Sequence, residues 1–484
     1  MNVPSSTPTE TNPATASQLS LLSRNLGVGS IVFMVVAAAA PLAVVAANLP
    51  VLIAQSANAG APYYFVVCTV LLAIFSVGFT LMSRYVPNAG AFYSYIQAGL
   101  GRVVGTGAAA VAICSYSLLL IGVTAYFGVV TRNLLSTSVP WWVFSLALLA
   151  LIAVLGYRDI ELSSKVLIIA LALETVVVIV MDVGVFIHNG GTGASLNVPL
   201  GVLGGGVPAL GVMFAFYSFI GFEATAVFRN EARDPDRTIP RATYIAVIAI
   251  GLFSAFSAWC VVAGVGIDSV VQMSADDPEN VVLNLMGEVA GPIVADIARV
   301  LLVTSFFACA LSFHNIVTRY VFALGRKKVL PARLGEVSST HHSPSRASMV
   351  VTAFAFICLV ASIATALDPV TVVFTLAGAA SSLGVVILMT LVSIAMLVFF
   401  RRVDTGKSLW HTVVAPAISV VGLGVILVLV VTNFSLLTGT QTQAYGVMGF
   451  VVASFIGGSI GALVLRRRKP EVYAVLDDSQ HTRP

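Results

Sequence analysis

The chain has 484 residues, 10% of them Asp, Glu, Lys or Arg and 58% hydrophobic, with a net charge of +4. A soluble globular chain carries about 25% charged residues, so a water-soluble enzyme, a disordered protein and a nucleic-acid-binding protein are excluded. Mean hydropathy is +0.98, which fits one polytopic membrane domain rather than two or three soluble ones. Cys68, Cys114, Cys260, Cys309 and Cys358 all lie in apolar runs without metal-ligand spacing, and they read as small hydrophobes rather than ligands or a disulfide framework.

Residues 1–24 are polar, rich in Ser, Thr and Pro, and lack the pattern of a cleaved signal peptide; they read as a disordered cytoplasmic tail. A bilayer-crossing helix needs about 20 apolar residues. The charge-free run 26–83 holds two such spans, divided near 55–62. Eight more fall near 106–130, 140–157, 164–187, 207–228, 242–265, 294–322, 347–367 and 370–399. The run 408–465 holds two, divided near 432–444, for a total of twelve. Residues 467–484 form a second tail. An even count puts both ends on one side. With the N-terminus inside, 23 of the 25 basic residues lie on inner segments, and only Arg132 and Arg299 lie outside. That bias predicts a multi-pass plasma-membrane protein with both termini cytoplasmic. The acidic outer segment 268–288 has room for a short surface helix.

Residues that do not suit a lipid-facing helix point to function. A helix broken inside the bilayer is tolerated only where it lines a protein cavity. The first span carries Pro41 after the run Ala37, Ala38, Ala39 and Ala40, and proline both removes a donor and clashes with the preceding turn. The sixth span reads Phe216, Tyr217, Ser218, Phe219, Ile220, Gly221, Phe222, Glu223, with glycine and an acid at membrane depth. Paired interruptions at matching positions of two halves are the best sequence pointer to a transporter substrate site. The ion-coupling candidates are Glu174 in mid-fifth span, Glu223 after the sixth-span break, and Ser312 with Asn315 one turn apart in the eighth. Intramembrane acids are costly and usually functional, and burial favours a protonated carboxyl able to carry a proton near neutral pH. A coupling proton is therefore expected ahead of sodium, with no cofactor and no bound metal. Asp182, eight residues after Glu174, reads as a solvated helix-end residue. His314 reads as a polar contact between helices. The loop from Asn230 to Arg241 alternates in sign and predicts a compact salt-bridged turn, with Pro240 in the first turn of the next helix. No phosphate-binding loop, zinc motif, nucleophile elbow or selectivity-filter repeat is present, so a pump, a hydrolase or any other enzyme, and a channel are disfavoured.

The run Phe219-Ile220-Gly221-Phe222-Glu223, then Asn230-Glu231-Ala232-Arg233-Asp234-Pro235 and Thr238-Ile239-Pro240-Arg241-Ala242, resembles the signature of the amino acid–polyamine–organocation permeases. Val86 to Tyr95 with Gly99-Leu100-Gly101, and Thr318 to Arg326 with Leu330-Pro331, resemble further family segments in matching order over roughly 25–465. The resemblance implies an all-α LeuT-like fold: a core at 25–400 of inverted repeats (about 25–190 and 205–400) and two added helices at 401–466. It also implies secondary transport of an amino acid or small amine by alternating access. The substrate carboxylate would meet N–H groups near residues 37–41, and its amine the carbonyls of residues 216–221. Phe219 or Phe222 would serve as an aromatic lid. The chain departs from the family in lacking the glycine-rich first-span pattern and in placing Glu174 where some proton-coupled members carry lysine. Proton symport is the expected mode; an exchanger and a non-transporting ligand sensor are the alternatives.

Overall fold

The computed structural model describes residues 26–86, 91–158, 164–192, 197–227, 229, 232–338, 343–438 and 440–475. The expected tail at 1–24, and residues 476–484 of the second, lie outside them. Every described element is helical, and the one β-type pairing among the described residues is a bridge between Leu26 and Ala232.

Helix α1 (Val28–Ala39) stops before Ala40. The chain restarts at Pro41–Ala43, passes through a π-helical turn at Val44–Asn48 and continues as α2 (Leu49–Ser56). Then come α3 (Ala61–Tyr85), α4 (Ala91–Leu100), α5 (Arg102–Leu134), α6 (Trp141–Arg158) and α7 (Ser164–Thr192). A second broken span is α8 (Pro208–Tyr217) with α9 (Ala224–Val227), followed by α10 (Pro235–Val265). The short helices α11 (Ile267–Asp276) and α12 (Val281–Ala290) lead to α13 (Pro292–Arg326) and α14 (Ser345–Ala364). A π-helical turn at Pro369–Phe374 opens α15 (Thr375–Phe400), and α16 (Ala415–Asn433), α17 (Gln441–Arg468) and α18 (Pro470–Val475) complete the chain.

Ten helices among the described residues are long and apolar enough to cross a bilayer. The two expected spans outside that set are α6, with 18 residues, and α8, which the break cuts to 10. The expected outer surface helix is two helices, α11 and α12, and α12 buries Val281, Val282, Leu283, Leu285 and Met286.

Exposed apolar stripes mark the lipid-facing sides. On α7, Leu173, Val176, Val180, Val183 and Ile187 are exposed, whereas Glu174, Val178, Met181, Asp182 and Val185 are buried. The three- and four-residue spacing places each set on its own helix face. Helix α3 packs along α10, α5 along α13, α6 against α14 and α2 against α8.

Helix α10 starts earlier than the sequence suggested. Pro235, not Pro240, takes the first turn, where a missing N–H costs nothing. Pro240 therefore lies inside the helix and leaves the Asp236 carbonyl without its usual donor. The Arg84 guanidinium fills that role at 2.9 Å. The expected salt-bridged turn is present in its described part, with Arg229 on Asp236 at 2.6 Å and Arg237 near Asp234 at 3.7 Å; Asn230 and Glu231 lie outside the described residues.

The α3–α10 seam is tight enough to depend on Gly251. A Cβ there would stand 1.9 Å from Thr69 Oγ1. Gly251→Leu is expected to cost at least about 1–3 kcal/mol through overpacking, read as a lower melting temperature in detergent. An unchanged melting temperature would show that the two helices separate freely.

At the far end of the bundle, Glu279 between α11 and α12 accepts a hydrogen bond from Asn133 Nδ2 at 2.7 Å. Burial pushes its carboxyl above the usual range; Asn133 and Arg132 pull it back, while Asp277 and Asp368 add to the rise. A carboxyl with a raised pKa when docked binds more protons than when undocked. Docking is therefore strongest at low pH and weakens as pH rises from the ordinary glutamate range through the raised value. Hydrogen exchange across 267–290 should increase over that interval, and Glu279→Gln should remove the increase.

Candidate functional site

The first break is a backbone event at Ala40, which adopts a left-handed conformation (φ 50°, ψ 71°) while 2% exposed. For a non-glycine residue this costs about 1–2 kcal/mol. Pro41 cannot continue α1 but suits the first position of a new helix, and Val44 N–H closes that helix on the Ala40 carbonyl at 3.0 Å. The restarted helix has orphan N–H groups and partial positive charge at its start. Glu174 of α7 lies near them, with the Leu42 N–H beside its carboxyl and a hydrogen bond from Ser305 Oγ at 2.8 Å. Glu174 is thus a buried acid brought to the break from another span.

The second break is built alike. Helix α8 ends at Tyr217, and residues 218–223 run through turns in which the N–H groups of Ser218, Phe219 and Ile220 reach the carbonyls of Ala215, Phe216 and Tyr217 at 3.0–3.2 Å. Gly221 has φ 112°, a region that side chains rarely enter. Glu223 Oε2 accepts the Gly221 N–H at 2.9 Å, and its Oε1 accepts the Tyr116 hydroxyl of α5. Each break therefore carries one buried carboxylate that accepts a hydroxyl from a neighbouring helix, and Glu223 also accepts a backbone N–H.

A small cavity of about 40 Å³ lies between the breaks. Of the sequence-predicted site residues, Ala39, Ala40, Tyr217, Ser218 and Ile220 line it. Pro41 is buried beside it. Ala37 and Ala38 lie in the α1 backbone, with side chains outside the described set. Phe216 and Gly221 do not line the cavity. Phe219 and Phe222, expected as a lid, face α3 in this conformation: Phe219 packs on Phe65 at 6.5 Å, and Phe222 on Phe75 and Phe79 at 6.1 Å each. Glu174 and Glu223 lie at the breaks rather than in the cavity wall. Ser312 Oγ donates to its own helix at Ala308 O, 2.8 Å, and Asn315 is exposed. The structure therefore does not bring that pair to the other candidates.

The rest of the wall comes from residues that the sequence reading missed: Ala43, Val44 and Asn48, Leu119 and Val123, Phe306, Cys309 and Phe313, and Phe374. Asn48 left a signal, being the one polar side chain in the run 31–54. The apolar wall residues left none, because α5, α13 and α15 are hydrophobic on every side. Rings pack around the chamber. Tyr126 sits 4.9 Å from both Phe306 and Phe374, with Tyr217 5.7 Å from Phe374. Toward the basic end, Tyr116 stacks on Phe313 at 6.2 Å and meets Tyr320 at 5.8 Å. Tyr116 and Tyr126 are about 15 Å apart along α5, with Leu119 and Val123 between them.

Asp182 corrects the sequence reading. It is 2% exposed between α7 and α10, with Ser257 Oγ on Oδ2 at 2.8 Å. The apolar length of α7 runs past it, so the residue stays inside the bundle rather than at a solvated end. His314 is a contact between helices, its Nε2 3.0 Å from Thr352 Oγ1.

The family model described as amino acid permease matches residues 26–464. Relatives include the low-affinity putrescine importer PlaP of Escherichia coli K12, 25% identical over 305 residues, 61% of this chain and 66% of PlaP. The branched-chain amino acid permease BcaP of Bacillus subtilis is 24% identical over 317 residues, 60% of this chain and 65% of BcaP. A probable GABA permease of Pseudomonas aeruginosa is 25% identical over 284 residues, 56% of this chain and 58% of that protein. The matches span just under two thirds of the length of the first two relatives. The chain belongs to the amino acid permease family, within the amino acid–polyamine–organocation superfamily.

Proposed function

We propose that the protein is a secondary transporter that moves an amino acid or a related small amine across the plasma membrane by alternating access, in symport with protons. The observation that carries this reading is the cavity between two broken helices, with a buried carboxyl at each break. The relatives named for putrescine, branched-chain amino acids and GABA support the substrate range. A twelve-span arrangement with 5+5 inverted repeats and cytoplasmic termini belongs to the same proposal. It is supported by the packing of α3 on α10, α5 on α13 and α6 on α14, since each pair occupies corresponding positions in the two repeats.

The geometry suggests how the proton couples. The helix start at Pro41 attracts anions, and Glu174 stands beside it, near the Leu42 N–H. A substrate carboxylate arriving at the same helix end places two negative groups together, and a proton on Glu174 relieves the repulsion. A neutral carboxyl also competes less for the Leu42 N–H. Substrate binding and protonation then favour each other, as symport requires.

Uptake of labelled amino acids and amines into proteoliposomes should rise with an inward proton gradient. Absence of both uptake and exchange for every compound would reject the function. Glu174→Gln should flatten the pH dependence of uptake while leaving a folded protein; an unchanged pH profile would remove Glu174 from coupling. Gly221→Leu forces a side chain into a backbone conformation at φ 112°, and about a 10-fold or greater loss of transport is expected from about 1–2 kcal/mol of strain at the break. Normal transport would separate the break from the working cycle.

A further inference from the structure

We propose that Asn48 reads the substrate's ammonium group, and that the chamber selects a zwitterionic amino acid with an uncharged, apolar side chain over diamines and charged amino acids. This rests on the transport function proposed above and narrows its substrate.

Asn48 is 2% exposed and lines the cavity. Its amide nitrogen has two hydrogens, and both are spent: one on the Phe214 carbonyl at 2.9 Å, one on Ser218 Oγ at 2.8 Å. A carbonyl offers no donor, so the contact with Phe214 fixes which end of the amide is nitrogen. Oδ1 is left buried and without a partner among the described residues. Such an acceptor is costly to leave unsatisfied, and a ligand N–H supplies what it lacks.

The backbone also presents this residue. The π-helical turn Val44–Asn48 ends on Asn48, and the turn Pro369–Phe374 ends on Phe374. Both end residues line the cavity. A π turn inserts a residue and re-aims the side chains after it, and such turns recur at functional sites. Two of them converge here, one delivering an acceptor and one a ring.

The remaining wall sets the side-chain preference. Among the described residues, no Asp, Glu, Lys, Arg or His lines the cavity. Glu174 and Glu223 are engaged at the helix breaks. The wall is Ala, Val, Leu, Ile, Phe and Cys apart from Asn48, Tyr217 and Ser218. Asn48 Oδ1 and the Tyr217 hydroxyl are the wall's side-chain atoms without a partner among the described residues, and both are neutral, enough to hold one ammonium between them. A second charge would be stripped of water against apolar groups with no counter-charge to meet it.

The test is equilibrium binding to the purified, lipid-reconstituted protein. The probes are L-leucine, its 2-hydroxy analogue (which keeps the carboxylate and side chain), L-lysine and putrescine. Wild-type protein should bind leucine about 10- to 100-fold more tightly than the hydroxy acid, as expected for a hydrogen bond to a charged group, and more tightly than lysine or putrescine. Asn48→Ala should collapse the leucine preference. Asn48→Thr, which keeps an acceptor, should restore part of it. An unchanged preference in Asn48→Ala, or an equal loss in folded Ala and Thr variants, would show that Asn48 only braces α8. Preferential binding of putrescine or lysine would overturn the substrate class while leaving amine transport standing. Failure of all amino acids and amines to be transported would instead reject the transport function itself.

Discussion

A polypeptide inside a bilayer cannot leave its backbone hydrogen-bonding groups to water, and the centre of this protein is organised around that constraint. Two spans are broken at mid-depth, and each break exposes N–H groups that need acceptors. Glu223 answers at Gly221, and Glu174 lies beside Leu42. Both carboxyls take a hydroxyl donor from another helix, Ser305 on α13 for one and Tyr116 on α5 for the other. The acids thus tie the broken stretches to the helices around them.

The two broken spans also hold each other. At one end the Ser56 carbonyl takes the Val207 N–H at 2.7 Å, and Asn58 bonds to Val202 and, at 2.6 Å, to Gly205. In the middle Asn48 joins α8. At the basic end the Leu26 carbonyl takes the Arg233 N–H at 3.0 Å. The pair is thus tied at both ends and in the middle. Aromatic layers, Tyr126–Phe306–Phe374 and Tyr116–Phe313–Tyr320, pack on either side of the chamber. Rings suit this place because they exclude water over a large area.

Much of the architecture was legible in the chain. Apolar runs and the sorting of Lys and Arg located the spans, because lipid imposes a length and a polarity that local composition must obey. Both breaks were legible from Pro41 and Gly221, since few residues permit those backbone paths. The chamber wall was legible only in part. Ala39, Ala40, Tyr217, Ser218 and Ile220 were found through their nearness to a break, but Phe219 and Phe222, equally near, turn toward α3. The direction of a side chain in an unwound stretch follows from its dihedral angles, which no periodicity encodes. Ser312 and Asn315 looked like a pair one turn apart, yet one bonds within its helix and the other is exposed.

By itself the sequence determined the membrane class, the positions of the spans, the two interruptions and the family, because each of these is a local property of composition, backbone chemistry or motif. The tertiary structure decided what the intramembrane polar groups do. It brought Glu174 and Glu223 to the helix breaks, drew Asp182 into a helix interface, and left one oxygen of Asn48, a residue of the chamber wall, buried without a partner among the described residues. Those outcomes depend on which helix packs against which, and at what rotation. A helix apolar on every side carries no mark of the neighbour that it will meet.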